Sequence, residues 1–124
     1  EVAEPARPPV QEGDEKAAAF HPDSLGDDAM MARRGAMVDA YGVDRFIAHQ
    51  RAALARPDRT ELLANFGGPR LIVAATDDNA FPLKVMRRLA EAVPPARFEI
   101  VERSGHLLPM EQPKALAAIL SDSP

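Results

Sequence analysis

The run Leu71-Ile72-Val73-Ala74-Ala75 does more than any other segment to narrow the folds open to this chain. A continuous apolar stretch of strand length predicts a strand buried on both faces, and such strands belong to parallel sheets covered by helices. A second stretch of strand character, Arg97-Phe98-Glu99-Ile100-Val101, follows it. Between the two, Val85, Met86, Leu89 and Val93 share one face of a 3.6-residue period. Pro82 suits the first turn of that helix, and Pro94-Pro95 stops it. Residues 70 to 101 therefore predict a strand–helix–strand unit of the α/β class. A last helix is expected from about Pro113 to Ser121, carrying Leu116, Ile119 and Leu120.

Upstream, the pattern is helical from Asp27 to about Ala55. Met30, Met37, Val38 and Tyr41 fall on one helical face, and Ser24, Asp27 or Asp28 can cap its start. Gly42 predicts a break in a left-handed conformation. The helix after it carries Val43, Phe46, Ile47 and Leu54 and ends before Pro57, because a residue preceding proline is pushed out of helical geometry. Residues 1 to 19 begin with a stretch holding Pro5, Pro8, Pro9 and five acidic side chains without apolar periodicity. Such a stretch reads as a flexible or extended arm, since it cannot bury enough surface to offset its ordering entropy.

At 124 residues the chain has room for one small domain. A formal net charge of -4 argues against a nucleic-acid binder, which wants a basic face. Zero cysteines exclude disulfides and thiolate catalysis. His21, His49 and His106 lie far apart without the i, i+4 spacing of a helical zinc site, so no metal is expected. Mean hydropathy is -0.23, and no apolar run approaches the roughly 20 residues that span a bilayer. The chain opens on Glu1 without a basic-then-apolar leader. The expectation is a cytoplasmic protein whose native N-terminus is missing.

In parallel α/β sheets, ligands meet the chain beyond the carboxyl ends of the strands. Asp77-Asp78 follows the first strand and Ser104-Gly105-His106 follows the second. Adjacent parallel strands would set these loops side by side, with a carboxylate near an imidazole. A carboxylate bonded to one ring nitrogen fixes the tautomer and leaves the other nitrogen free to act as a base. Taken singly, His106 could be bonded to local backbone, and Asp77 or Asp78 could cap the next helix. Their joint placement points to chemistry.

The stretches Ala75-Thr76-Asp77-Asp78-Asn79-Ala80-Phe81-Pro82 and Gly105-His106-Leu107-Leu108-Pro109-Met110-Glu111-Gln112-Pro113 resemble the acid and histidine loops of the α/β-hydrolase superfamily. The likeness is to the C-terminal part of its capped, esterase- and lipase-like members, and it covers roughly residues 20 to 122. It implies the last two parallel strands of the hydrolase fold with flanking helices over residues 65 to 124. A helical cap segment over residues 20 to 64 would precede them, and Gln50 to Asp58 looks like its end. By the resemblance Asp78 and His106 are the acid and the histidine of a Ser-Asp-His type triad. The cap helices would line the acyl or alcohol pocket, with Met30, Met37, Phe46 and Ile47 as candidate apolar contacts, although packing between cap helices accounts for most of them. Ester hydrolysis of a small apolar substrate is the activity implied, with no metal or organic cofactor.

Two departures qualify the likeness. Ala75 stands where the family has Gly, which leaves room for Asp77 as the histidine's partner. The nucleophile elbow Gly-x-Ser-x-Gly is absent: Ser24, Ser104, Ser121 and Ser123 are the serines present, and none sits in one. The chain thus reads as a fragment whose partner is the missing N-terminal half of a hydrolase, and which self-associates without it. Members of the family with other nucleophiles cleave epoxides, carbon–halogen or carbon–carbon bonds. The alternative is a non-catalytic, truncated hydrolase-like binding module. A response-regulator receiver domain, with Asp77-Asp78 holding Mg2+, fails on length, because only 23 residues follow Val101.

Overall fold

The computed structural model describes residues 18 to 122. The arm expected over residues 1 to 19 therefore lies outside the described residues as far as residue 17. The described elements run in the order 3-10 turn Pro22–Gly26, α1 Asp28–Tyr41, α2 Val43–Leu54, α3 Thr60–Ala64 and β1 Leu71–Ala75. There follow α4 Leu83–Ala92, β2 Arg97–Val101, the single turn α5 Leu108–Glu111 and α6 Pro113–Ser121.

β1 and β2 pair in parallel, with Leu71 opposite Arg97 and Ala75 opposite Val101. The ladder continues past the strands, where Thr76 N–H donates to Val101 O at 3.1 Å and Asp77 N–H to Ser104 O at 2.9 Å. These bonds draw the loop after β1 against the loop after β2, and that pairing positions the site. α4 packs on both strands and α6 on β2. The core is Phe20, Ile72, Ala74, Ala75, Val93 and Val101, together with the fully buried Ser104. Burying Phe20 or Val93 contributes about 1.5–3 kcal/mol each.

Four expectations need correction. β1 is buried along Ile72 and Ala74, whereas Leu71 and Val73 are only half-buried. Gly42 breaks the helices at φ 76°, but its ψ of 159° puts it in an extended, glycine-favouring region rather than the left-handed helical one. Pro82 (ψ 146°) is the extended residue before α4, which begins at Leu83 rather than on the proline. Among the described residues, none in α1 or α2 is buried, because little of the described chain packs on them: α1 meets the 3-10 turn, and α2 has no comparable partner. Asp27 is the cap of α1, its carboxylate accepting the N–H of Met30 at 2.9 Å. The 3-10 turn, α3 and α5 were not expected, being too short to carry a periodic signal.

Candidate active site

Asp78 leaves the end of β1 in a tight turn that its own side chain builds. Oδ1 accepts the N–H groups of Ala80 at 2.8 Å and Phe81 at 2.9 Å. Oδ2 lies 3.1 Å from His106 Nδ1. A carboxylate engaged this way only accepts, so Nδ1 is the donor and the Nε2 lone pair is left free. The Asp78 side chain is 13% exposed and that of His106 42%, so the acid is sheltered while the imidazole reaches solvent. The Phe81 ring lies against the imidazole, with centroids 5.8 Å apart and planes 27° from parallel.

Asp77 takes a different partner. Its Oδ2 accepts the Thr76 hydroxyl and sits 3.7 Å from His21 Nε2. His21 Nδ1 accepts the N–H of Asp23 at 3.1 Å, which leaves the ring proton on Nε2, toward Asp77. Successive carboxylates thus serve different imidazoles, and Asp78 is the one brought to His106.

The histidine loop is held from both ends of its turn. Ala19 O accepts the N–H of His106 at 2.8 Å and that of Leu107 at 3.3 Å. A Cβ at Gly105 would lie 2.7 Å from that same oxygen, so only glycine allows the approach. Glu111 accepts the N–H of Gly105 at 2.7 Å. Arg103 enters the turn at φ 55°, its N–H on Thr76 Oγ1 at 3.1 Å and its carbonyl accepting Gln112 Nε2 at 3.1 Å. His21, Ala19 and Glu111 were not singled out from sequence as parts of this arrangement. The glycine before His106 and the acidic residue five positions after it were the local signals.

A hollow of about 220 Å3 beside the imidazole is lined by Ala18, Ala19, Asn79, Ala80 and His106. A larger one of about 450 Å3, between Arg56 and Leu63 and reaching Leu89, contains neither Asp78 nor His106. Of the expected pocket contacts, Met37, Phe46 and Ile47 are exposed and Met30 is half-buried. Among the described residues there is no cluster of three or more His, Cys, Asp or Glu side chains arranged to hold a metal ion. No described helix is long and apolar enough to cross a membrane.

The chain matches the Alpha/beta hydrolase family over residues 2–119. It is 26% identical over 97 residues to the uncharacterized hydrolase YugF of Bacillus subtilis (strain 168), which takes in 69% of this chain and 34% of that protein. A thermophilic esterase from Thermogutta terrifontis, solved with malate bound, is 33% identical with a TM-score of 0.52. The match spans 54% of this chain and 25% of the esterase. MGS-M2, an alpha/beta hydrolase enzyme from a Medee basin deep-sea metagenome library, superposes with a TM-score of 0.71 at 24% identity, over 85% of this chain and 40% of its own. The chain spans about a third of the curated relative's length.

Proposed function

Because the chain belongs to the alpha/beta hydrolase family, we propose that it supplies the acid and the base of a Ser-Asp-His type triad that hydrolyses small apolar esters. The observation that carries this reading is the 3.1 Å contact between Asp78 Oδ2 and His106 Nδ1, with the imidazole partly open to solvent beside the Phe81 ring. The esterase at 33% identity supports the choice of ester over the other bonds that such folds cleave.

In this mechanism a serine from a segment outside these 124 residues attacks the acyl carbon. His106 Nε2 takes its proton and then delivers it to the leaving alkoxide; water, deprotonated by the same nitrogen, releases the acid. Asp78 holds the ring in the Nδ1–H tautomer and stabilises the imidazolium. Its other oxygen is held by the N–H groups of Ala80 and Phe81, which fixes the carboxylate facing the ring. Residues 20 to 64 act as a cap segment, whose exposed Met37, Phe46 and Ile47 are open to packing between cap helices or to an acyl or alcohol pocket. The oxyanion donors come with the nucleophile.

The test is hydrolysis of p-nitrophenyl butyrate by the 124-residue chain and by the product of its full reading frame. The chain alone is expected at the rate of free imidazole. In the full product, His106→Ala should lower kcat by about 10^6-fold, the scale on which loss of a triad histidine acts. A full product indifferent to His106→Ala removes the catalytic reading, and one that binds esters without turnover is the binding module.

A further inference from the structure

We propose that Glu111 is a positioning residue for His106, a carboxylate that locks the turn carrying the imidazole onto the segment that enters the cap. The inference rests on the reading of His106 as the base. Glu111 ends α5, five residues after the histidine. Its Oε2 accepts the Gly105 N–H at 2.7 Å, while Oε1 accepts the His21 N–H at 2.7 Å and the Ser24 hydroxyl at 2.8 Å. Three short donors from two distant stretches converge on one half-buried side chain.

The consequence falls on the backbone either side of His106. Glu111 fixes the N–H before it, and Ala19 O fixes the N–H groups of His106 and Leu107. Residues 19 to 24 are thereby part of the same clamp, since they supply the Ala19 acceptor and two of the Glu111 donors. With the turn held at both ends, the backbone that carries His106 is fixed, and the Asp78 carboxylate meets the ring at 3.1 Å. Without the carboxylate, the Gly105 N–H, in a buried residue, loses its acceptor. A glutamine cannot substitute fully, because its amide would turn N–H donors toward at least one of the three donors already present.

The experiment uses the full reading-frame product, with p-nitrophenyl butyrate as substrate and the His106 Nδ1–H resonance in NMR as a readout independent of turnover. Glu111→Gln is expected to lower kcat by about 10–100-fold with KM unchanged within about twofold. It should also broaden or shift upfield the Nδ1–H resonance that Asp78 produces. Combined with Asp78→Asn it should cost little beyond Asp78→Asn alone, because both act through one imidazole. A purely architectural role would instead lower the melting temperature, leave the resonance in place and add fully to Asp78→Asn.

A folded Glu111→Gln protein with wild-type kcat and an unchanged resonance overturns the proposal, as does full additivity. Glu111→Ala is the harsher variant; if it does not fold, Glu111→Gln and Ser24→Ala decide, the latter expected to reduce kcat by about two- to fivefold. If the wild-type product hydrolyses no ester, the catalytic reading fails alone. The resonance then still decides for or against Glu111.

Discussion

The carbonyl oxygen of Ala19 accepts the backbone N–H of His106 at 2.8 Å, 87 residues away in the chain. One acceptor outside the strand–helix–strand unit thus sets where the imidazole can stand, and glycine at 105 is what lets the two backbones meet. A Cβ there would lie 2.7 Å from Ala19 O, 2.8 Å from the Phe20 carbonyl carbon and 2.9 Å from His21 N. All three are backbone atoms, so no side chain can swing aside. Gly105→Ala is expected to destabilise the fold by about 1–3 kcal/mol, the usual cost of overpacking. Urea denaturation measures it, and a midpoint equal to wild type would mean that the Ala19 segment gives way freely.

Asp77 and Asp78 are neighbours with separate duties, and substitution separates them. In Asp78→Asn the amide N–H group faces Nδ1 and favours the Nε2–H tautomer, which cannot accept the serine proton. A fall in kcat of about 10^4-fold is expected in the full product, as for other triads that lose the acid. Asp77→Asn touches Thr76 and His21, not His106, and should leave kcat within about threefold. Equal losses in both variants would show that the two carboxylates act as one unit.

The parts of the fold legible in sequence were those with a strong repeating signal. β1 and β2 have the limits expected for them, because an apolar run between polar loops leaves little choice of ends, and α6 likewise follows its apolar spacing. That the loops after β1 and β2 meet follows from parallel pairing alone. The features that leave no mark in the sequence are either short or remote. α3 and α5 have five and four residues, too few to show a period. Two of the three partners of Glu111, the Ser24 hydroxyl and the His21 N–H, lie 87 and 90 residues away, and no local pattern announces a carboxylate shared with so distant a segment. The same holds for the pairing of His21 with Asp77, which depends on where the 3-10 turn is laid down.

Asp58 gives a pH-dependent element far from this chemistry in sequence. The Thr60 hydroxyl, and after it the Thr60 N–H, donate to its carboxylate and hold its pKa below the ordinary value of 3.8. A depressed carboxylate pKa means that the ionised form stabilises the start of α3. That contribution is complete above the unfolded value and is lost as pH falls through the lower, folded one. An NMR titration of the Asp58 carboxyl carbon should give a midpoint below 3.8, and Thr60→Val should move it upward. A wild-type midpoint at or above that value would show that Asp58 and Thr60 do not stay bonded in solution.

The apolar surface left open leads to the last expectation. Among the described residues β1 pairs only with β2, so its other edge presents backbone groups with no strand beside them. Large apolar side chains stand in water nearby in sequence and on the preceding helices: Leu54 is 89% exposed, Val43 69%, Leu62 60% and Phe66 55%. Covering about 400 Å2 of such surface is worth about 10 kcal/mol at roughly 25 cal/mol per Å2. Association itself costs about 4–15 kcal/mol, so self-pairing of the 124-residue chain comes out weak and concentration-dependent rather than absent. A two-stranded sheet is also near the lower limit of what stands alone in water. The chain by itself should therefore bind an apolar-surface dye, sediment faster than a monomer as concentration rises, and melt over a broad range. On the proposed reading, a longer product that adds strands beside β1 should do none of these, because that edge would then be covered. A sharply melting, dye-silent monomer of the short chain would show that the β1 edge and these side chains are satisfied within it.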